Sequence, residues 1–262
     1  MQITFLGTCS GTEPMPNRRH TAFVVEHRDG VYWFDAGEGC SHTAHVAGID
    51  LLVIQAIFIS HPHLDHVGGL ANLIWTIQKL NGRNEDPTRS VTGKALPILI
   101  PNLNVWDGVL QVLAGPREIS APDFNLDAQT YRDGVIYNQN GLKITALHNR
   151  HLGEPAPGKP WQSYSFRIET EEKCLVFSGD VKDVREVAPL LDGCDLFLME
   201  TGHHRVEDIC SYLKESGLNI GRLGFVHHGR AILADPRRER QKAQSILGDT
   251  VFIADDGLKV TV

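Results

Sequence analysis

No run in this 262-residue chain approaches the ~18 consecutive apolar residues of a membrane-spanning helix. The opening MQITFLGTCSG also puts no basic flank ahead of a long apolar segment. The expectation is a chain that stays in the cytoplasm and off the membrane. Cysteine is scarce: Cys9, Cys40, Cys174, Cys194 and Cys210 are odd in number and never spaced C-x-x-C. That excludes a disulfide framework and a thiolate zinc ribbon, and leaves reduced, mostly core residues. Positive charge is not in excess either. A net charge of −7 and a pI near 6.0 argue against a surface that holds nucleic acid by charge alone, though a local basic groove stays compatible with them. No exact internal repeat and no interdomain linker is visible. With 42% apolar and 22% charged residues, the chain suffices for one large domain over 1–262 with a core of its own.

What is present is a succession of short, apolar, β-branched runs. QITFL, TAFVVEH, VYWFD, IQAIFIS, LPILI, KITAL, SYSFRIE, KCLVFS, DLFLM, RLGFV, TVFIA and LKVTV all read as strands. Between them, Val67, Leu70, Leu73, Ile74, Ile77 and Leu80 recur at spacings of three and four, as do Ile209, Leu213 and their neighbours, so each group predicts a helix with one apolar face. VAPLLDG and DPRRERQKAQSILG predict two more, the second with Pro236 in its first turn and Gly248 at its end. Strand clusters interrupted by single helices fit an α/β class chain of four layers, helix on sheet on sheet on helix, better than a regular alternating parallel sheet. Asn81–Ala95 and Gly153–Trp161 are rich in Gly, Pro and polar residues and read as surface loops. Because each follows a histidine-bearing segment, either could wall the mouth of a site.

The densest chemistry lies in FISHPHLDHVGGL, where His61, His63, Asp65 and His66 fall within six positions directly behind a strand. A single histidine beside an apolar strand is ordinarily a hydrogen-bonded core or surface residue. Four ligand-capable residues at a helix entrance, where their helix propensity is poor, are not explained that way. In an extended segment His61 and His63 face one side while Pro62 faces the other. Asp65 and His66 are offset from them, so two pairs suggest two cation positions. Zinc suits these nitrogen and oxygen donors, and the Gly68-Gly69 pair lets backbone approach closely. Other strands also end in ligand types: KITAL before His148 and His151, CLVFSG before Asp180, LGFV before His227 and His228. Asp180 alone would read as a turn residue; with the others, a bridging carboxylate is favoured.

This pattern, HxHxDH with Gly-Gly behind it, a later His, SGD and a final strand-end His, resembles the metallo-β-lactamase superfamily. Within it, FLGTCSGTEPMPNRRHTAFVV, WFDAGEGCSHTAHVAGI and IQAIFISHPHLDHVGGL resemble the start of ribonuclease Z and of its relatives among small phosphodiesterases. The resemblance implies the αββα metallo-β-lactamase fold and two zinc ions, with manganese and iron as alternatives. It implies His61, His63 and His151 on one ion, Asp65, His66 and His227 on the other, and Asp180 between them. His148 and His228 compete with His151 and His227. DLFLMETGHHRVED resembles the family segment that supplies a glutamate and a histidine, so Glu200 and His203 take those positions, with His204 as competitor and a polar helix start as the plain alternative. Asp35 is a candidate for orienting a ligand, or a simple turn acid.

Two zinc ions lower the pKa of a shared water toward ~7 and neutralise phosphodiester oxygens. Asp65 would hold the attacking oxygen, and His203, kept charged by Glu200, would protonate the leaving group. The implied enzyme is a binuclear zinc phosphodiesterase acting on a small or cyclic phosphodiester. The long arm with which ribonuclease Z grips transfer RNA has no counterpart here, and armless relatives include the anti-Pycsar phosphodiesterases. Transfer-RNA 3′ processing is the alternative, which would make nucleic acid the partner, and thioester or lactone hydrolysis is a further one. Val181 stands after SGD where the family often has Thr. Family members are commonly homodimers.

Overall fold

The computed structural model describes residues 1–11, 15–114 and 122–262. Thr12, Glu13 and Pro14 of the first family-like segment lie outside the described residues. Fourteen strands form: β1 (Gln2–Gly7), β2 (Ala22–His27), β3 (Gly30–Phe34), β4 (Ile54–Phe58), β5 (Ala95–Leu99), β6 (Asn125–Gln129), β7 (Gly134–Gln139), β8 (Leu142–His148), β9 (Tyr164–Glu169), β10 (Cys174–Phe177), β11 (Cys194–Thr201), β12 (Ile220–His228), β13 (Val251–Ile253) and β14 (Lys259–Thr261) among the described residues. The helices there are α1 (Cys40–Val46), α2 (Leu64–Val67), α3 (Leu70–Asn81), α4 (Leu103–Ala114), α5 (Ala188–Leu191), α6 (Val206–Ser216), α7 (Arg230–Ala234) and α8 (Pro236–Leu247).

The chain folds into two compact units, one of residues 1–7, 19–131 and 256–261, the other of 8–18, 132–255 and 262. The first carries a seven-stranded sheet in the order β14-β1-β2-β3-β4-β5-β6, antiparallel from β14 to β3 and parallel from β3 to β6. Its core joins Val24, Trp33, Ile57 and Ile98 of the sheet to Ala44 of α1, to Leu70, Leu73, Ile74 and Ile77 of α3 and to Trp106 of α4. The predicted spacing of three and four is therefore the buried stripe of α3. Each of its four fully buried side chains contributes up to about 1.5–3 kcal/mol. Val67 does not begin that helix. It ends α2, and the chain breaks at Gly69, where a Cβ would lie 2.3 Å from the Gly37 carbonyl oxygen.

The second unit has the sheet β13-β12-β11-β10-β9-β8-β7, parallel from β13 to β10 and antiparallel from β10 to β7. Val176, Phe197, Met199 and Phe225 pack there with Val206, Ile209, Cys210 and Leu213 of α6 and Ala243 of α8. VAPLLDG forms a 3-10 turn running into α5. Helix α8 starts at Pro236, with the Asp235 carboxylate accepting from the Arg238 amide at 3.0 Å, and stops at Gly248. No helix among the described residues is long and apolar enough to cross a membrane.

Most of the ligand-rich segments follow strands that pair in parallel, whereas His151 follows the antiparallel β8. β4 leads into His61, β10 into Asp180, β11 into His203, and β12 ends in His227 and His228. The carboxyl ends of parallel strands are where open α/β sheets place their ligands.

Candidate metal centre

In the first unit, Asp35 organises the histidine motif. Its carboxylate is fully buried and accepts hydrogen bonds from the Ser60 amide at 2.6 Å and the Ser60 hydroxyl at 2.8 Å. His66 Nδ1 donates at 2.7 Å to Oδ2, the oxygen that also accepts from the Ser60 hydroxyl, and its Nε2 lies 3.6 Å from Asp65 Oδ2. Ser60 Oγ also stands 3.1 Å from His61 Nδ1, leaving His61 Nε2 to approach His63 Nδ1 at 3.1 Å. The rings of His61 and His66 lie 4.0 Å apart. His61 and His63 converge across Pro62, and Asp65 and His66 project from α2.

In the second unit, Asp180 is 2% exposed and gathers imidazoles around one carboxylate oxygen. His227 Nε2 is 3.3 Å and His151 Nε2 3.6 Å from Oδ2; His203 Nδ1 is 3.9 Å away. His227 sits in a left-handed backbone conformation, φ 47°, beside the bulge that β12 makes against Glu200 and Thr201. A non-glycine residue pays for that conformation, so the surrounding contacts hold it there. Gly202 is one of them: a Cβ on it would lie 2.6 Å from His227 Nδ1.

The competing histidines are separated by their partners. His148 Nδ1 meets Asp133 at 2.6 Å and its ring stacks on Trp161, whereas His151 reaches Asp180. His228 is fully buried, its Nε2 donating to the Ala254 carbonyl at 2.8 Å, and burial depresses its pKa to about 3, so it stays neutral. His204 Nε2 donates to the Val181 carbonyl at 2.9 Å. His203 instead gives Glu200 two hydrogen bonds at 3.0 Å, from its backbone amide and from Nδ1. The bond to Glu200 raises the His203 pKa against the opposing effect of burial. Burial alone would raise the Glu200 pKa, but His203 and His227 outweigh it and the carboxyl stays ionised far below the usual range. Ser60, Gly202 and Asp133 carried no signal in the sequence: a serine beside a strand end, a glycine between strand and helix, and an acid in a loop are each commonplace.

Both donor sets fit a divalent cation. Tetrahedral ligands ~2.1 Å from a common ion stand about 3.4 Å from one another. The pairs His61/His63, Asp65/His66, His151/Asp180 and His227/Asp180, at 3.1, 3.6, 3.6 and 3.3 Å, have that spacing. Imidazole with carboxylate is the donor chemistry of zinc, manganese and iron, and a carboxylate behind a ligating histidine, as Asp35 stands behind His66, is the usual way of fixing its ring. Cations bound here would supply Lewis acidity toward water and an ester or phosphoryl oxygen.

Comparisons with known proteins bear on the fold and the family. The fold superposes on the metallo-β-lactamase fold protein YhfI of Bacillus subtilis with a TM-score of 0.74 at 18% identity, over 99% of each chain. On the short form of human tRNase Z it gives 0.73 at 19% identity, over 100% of this chain and 99% of that one. In sequence, the ribonuclease Z of Methanopyrus kandleri is 25% identical over 99% of this chain and 97% of that enzyme. Fold and donor sets thus define a metal-dependent hydrolase of the metallo-β-lactamase superfamily, ribonuclease Z-like in its motifs. The family model of the anti-Pycsar protein Apyc1 matches residues 1–201, and the chain belongs to that family.

Proposed function

We propose that this chain is a two-zinc phosphodiesterase acting in the cytoplasm on a nucleotide substrate, with the zinc ligands divided as the family resemblance implies. The observation that carries it is the His203–Glu200 pair at 3.0 Å beside Asp180. Phosphodiester cleavage expels an alkoxide, which needs a proton at neutral pH. With Nδ1 bound to a buried, ionised carboxylate, the proton to be given away is on Nε2. Asp65 is proposed to hold the attacking oxygen as well as a metal ion. All five cysteines are buried thiols outside any disulfide, which suits a reducing compartment.

Two substrate readings follow, each with its own support. The curated relatives matched along the full chain are named ribonuclease Z, which favours transfer-RNA 3′ processing over the small diester expected from the sequence. A small or cyclic phosphodiester is favoured by the family match and by the brevity of the segment between His151 and β9, which leaves no room for a gripping arm. The deciding experiment presents the zinc-loaded protein with a transfer-RNA precursor, cyclic nucleotides and bis(4-nitrophenyl) phosphate. Cleavage of the precursor at its 3′ trailer supports the first reading, and turnover of cyclic nucleotides alone supports the second. Activity on none of them, with thioesters or lactones turned over instead, rejects both.

A further inference from the structure

Beyond the ligand residues, the ends of β8 and β9 build a second feature that the hydrolytic chemistry does not use. His148, the last residue of β8, pairs in register with Tyr164, the first of β9. The His148 amide and Nδ1 both donate to the Asp133 carboxylate, at 2.7 and 2.6 Å, and this fixes the plane of the imidazole. On that plane lies the Trp161 indole, ring centroids 4.1 Å apart and 22° from parallel. Trp161 in turn lines a cavity of about 460 Å³ together with Tyr164, Asp133, Arg132 and Lys159. Arg132 and Lys159 are exposed, and among the described residues neither joins an ion pair, in a chain of net charge −7.

A rigid aromatic platform on paired strand ends, two uncommitted cations and a carboxylate acceptor in one cavity match one kind of ligand: a flat heteroaromatic ring with amino groups and an attached phosphate. We propose that this cavity is a nucleobase subsite, in which the base stacks on Trp161 while Arg132 and Lys159 attract the adjoining phosphate. His148 is three residues from His151, so the two α-carbons stand at most ~11 Å apart along the chain. The histidine that backs the Trp161 platform is therefore close along the chain to a proposed metal ligand. The proposal rests on the phosphodiesterase reading for its purpose, though not for its test. A base offers its π face whatever its identity, so the subsite favours nucleotides as a class over one particular base.

The test is calorimetric titration of the metal-loaded protein with adenosine 5′-monophosphate, with ribose 5-phosphate, and with a phosphorothioate-linked RNA trinucleotide. Trp161→Ala should weaken the adenosine nucleotide between about five- and about a hundredfold, the range of one base–aromatic stack. Trp161→Phe should restore most of the affinity, and ribose 5-phosphate should bind weakly and equally to all three proteins. A loss confined to the mononucleotide assigns the subsite to a small nucleotide, a loss confined to the trinucleotide to an RNA end, and either supports it. Equal Kd values in wild type and Trp161→Ala for both the adenosine nucleotide and the trinucleotide, with unchanged circular dichroism and metal content, overturn the proposal. So does ribose 5-phosphate binding as tightly as the nucleotide. Wild-type turnover of bis(4-nitrophenyl) phosphate, measured alongside, shows whether the hydrolase reading stands or falls separately.

Discussion

Glu200 holds His203 at two points, accepting from its backbone amide and from its ring Nδ1 at 3.0 Å each, and thereby fixes both where the imidazole sits and which nitrogen is free to give a proton. A residue built in this way should matter in proportion to how badly the leaving group needs protonation. His203→Ala is expected to lower kcat by about 10²–10⁴ on a diester that expels an alkoxide. It should cost far less on bis(4-nitrophenyl) phosphate, whose phenolate leaves without a proton. Equal losses on the two substrates, measured at saturating concentration, would remove His203 from the role of acid.

Asp35 anchors the motif from behind. Its carboxylate binds Ser60 twice and His66 once, all within 2.8 Å and fully buried. Asp35→Asn keeps the shape but replaces one acceptor with a donor, which should release the His66 ring and lower metal affinity about 10–100-fold. Competition against a chromogenic chelator reads this directly; an unchanged affinity would reduce Asp35 to a turn acid.

Gly202 should be intolerant of a single methyl group. The Cβ of Gly202→Ala would sit 2.6 Å from His227 Nδ1, and His227 is already in a left-handed conformation with little freedom to yield. The expected result is a protein of nearly wild-type circular dichroism with a deficit in bound metal. Full metal content in the variant would show that His227 repositions without cost.

Away from the site, Glu169 gives a pH signature. Burial opposes its charge, but Lys143 at 2.7 Å and Arg167 at 3.2 Å outweigh it and hold the carboxyl below its ordinary value. A depressed folded pKa means that the stabilisation is complete above the unfolded value of ~4.3 and is lost as pH falls through the folded one. Glu169 is 25% and Lys143 43% exposed, so solvent screens the pair, and Glu169→Gln should cost under about 1 kcal/mol at pH 7 and less at pH 3. Paired thermal melts at the two pH values check the sign, and a gap that widens in acid would contradict it.

The sequence was most legible where one physical signal dominated. The β-branched runs became strands because both faces of β3, β4 and β10 are buried or nearly so, and the stripe from Leu70 to Ile77 became α3 because its spacing matches a helix. Strands β6 and β7 escaped, since the polar residues of NLDAQ and the exposed ends of GVIYNQ reflect their places at the two sheet edges. Helix α1 is only seven residues long, follows a left-handed Gly39 and has no side-chain cap, so only Gly48 just past its end marks a boundary. Helix α4 buries only Trp106 and Val109 while Leu110 and Val112 stay exposed, which blurs its stripe. Asn81–Ala95, read as a loop and a possible mouth wall, is pinned within the first unit by Asn81, whose side chain binds Thr92, Ser90 and Asp123, and by Arg89 on Asp50. At the site, the residue types at the strand ends were readable, but not the sorting of each histidine pair. That sorting depends on Asp133, Ala254 and Val181, partners 15 to 26 residues away from the histidines they engage.

The proposed chemistry requires these imidazoles and carboxylates to hold a pair of divalent cations. Elemental analysis of the purified, buffer-exchanged protein tests it most directly. Two equivalents of zinc, manganese or iron per chain are expected, falling by at least one on Asp180→Ala. Protein that retains no transition metal after incubation with each of the three, while keeping its folded circular dichroism, would contradict it.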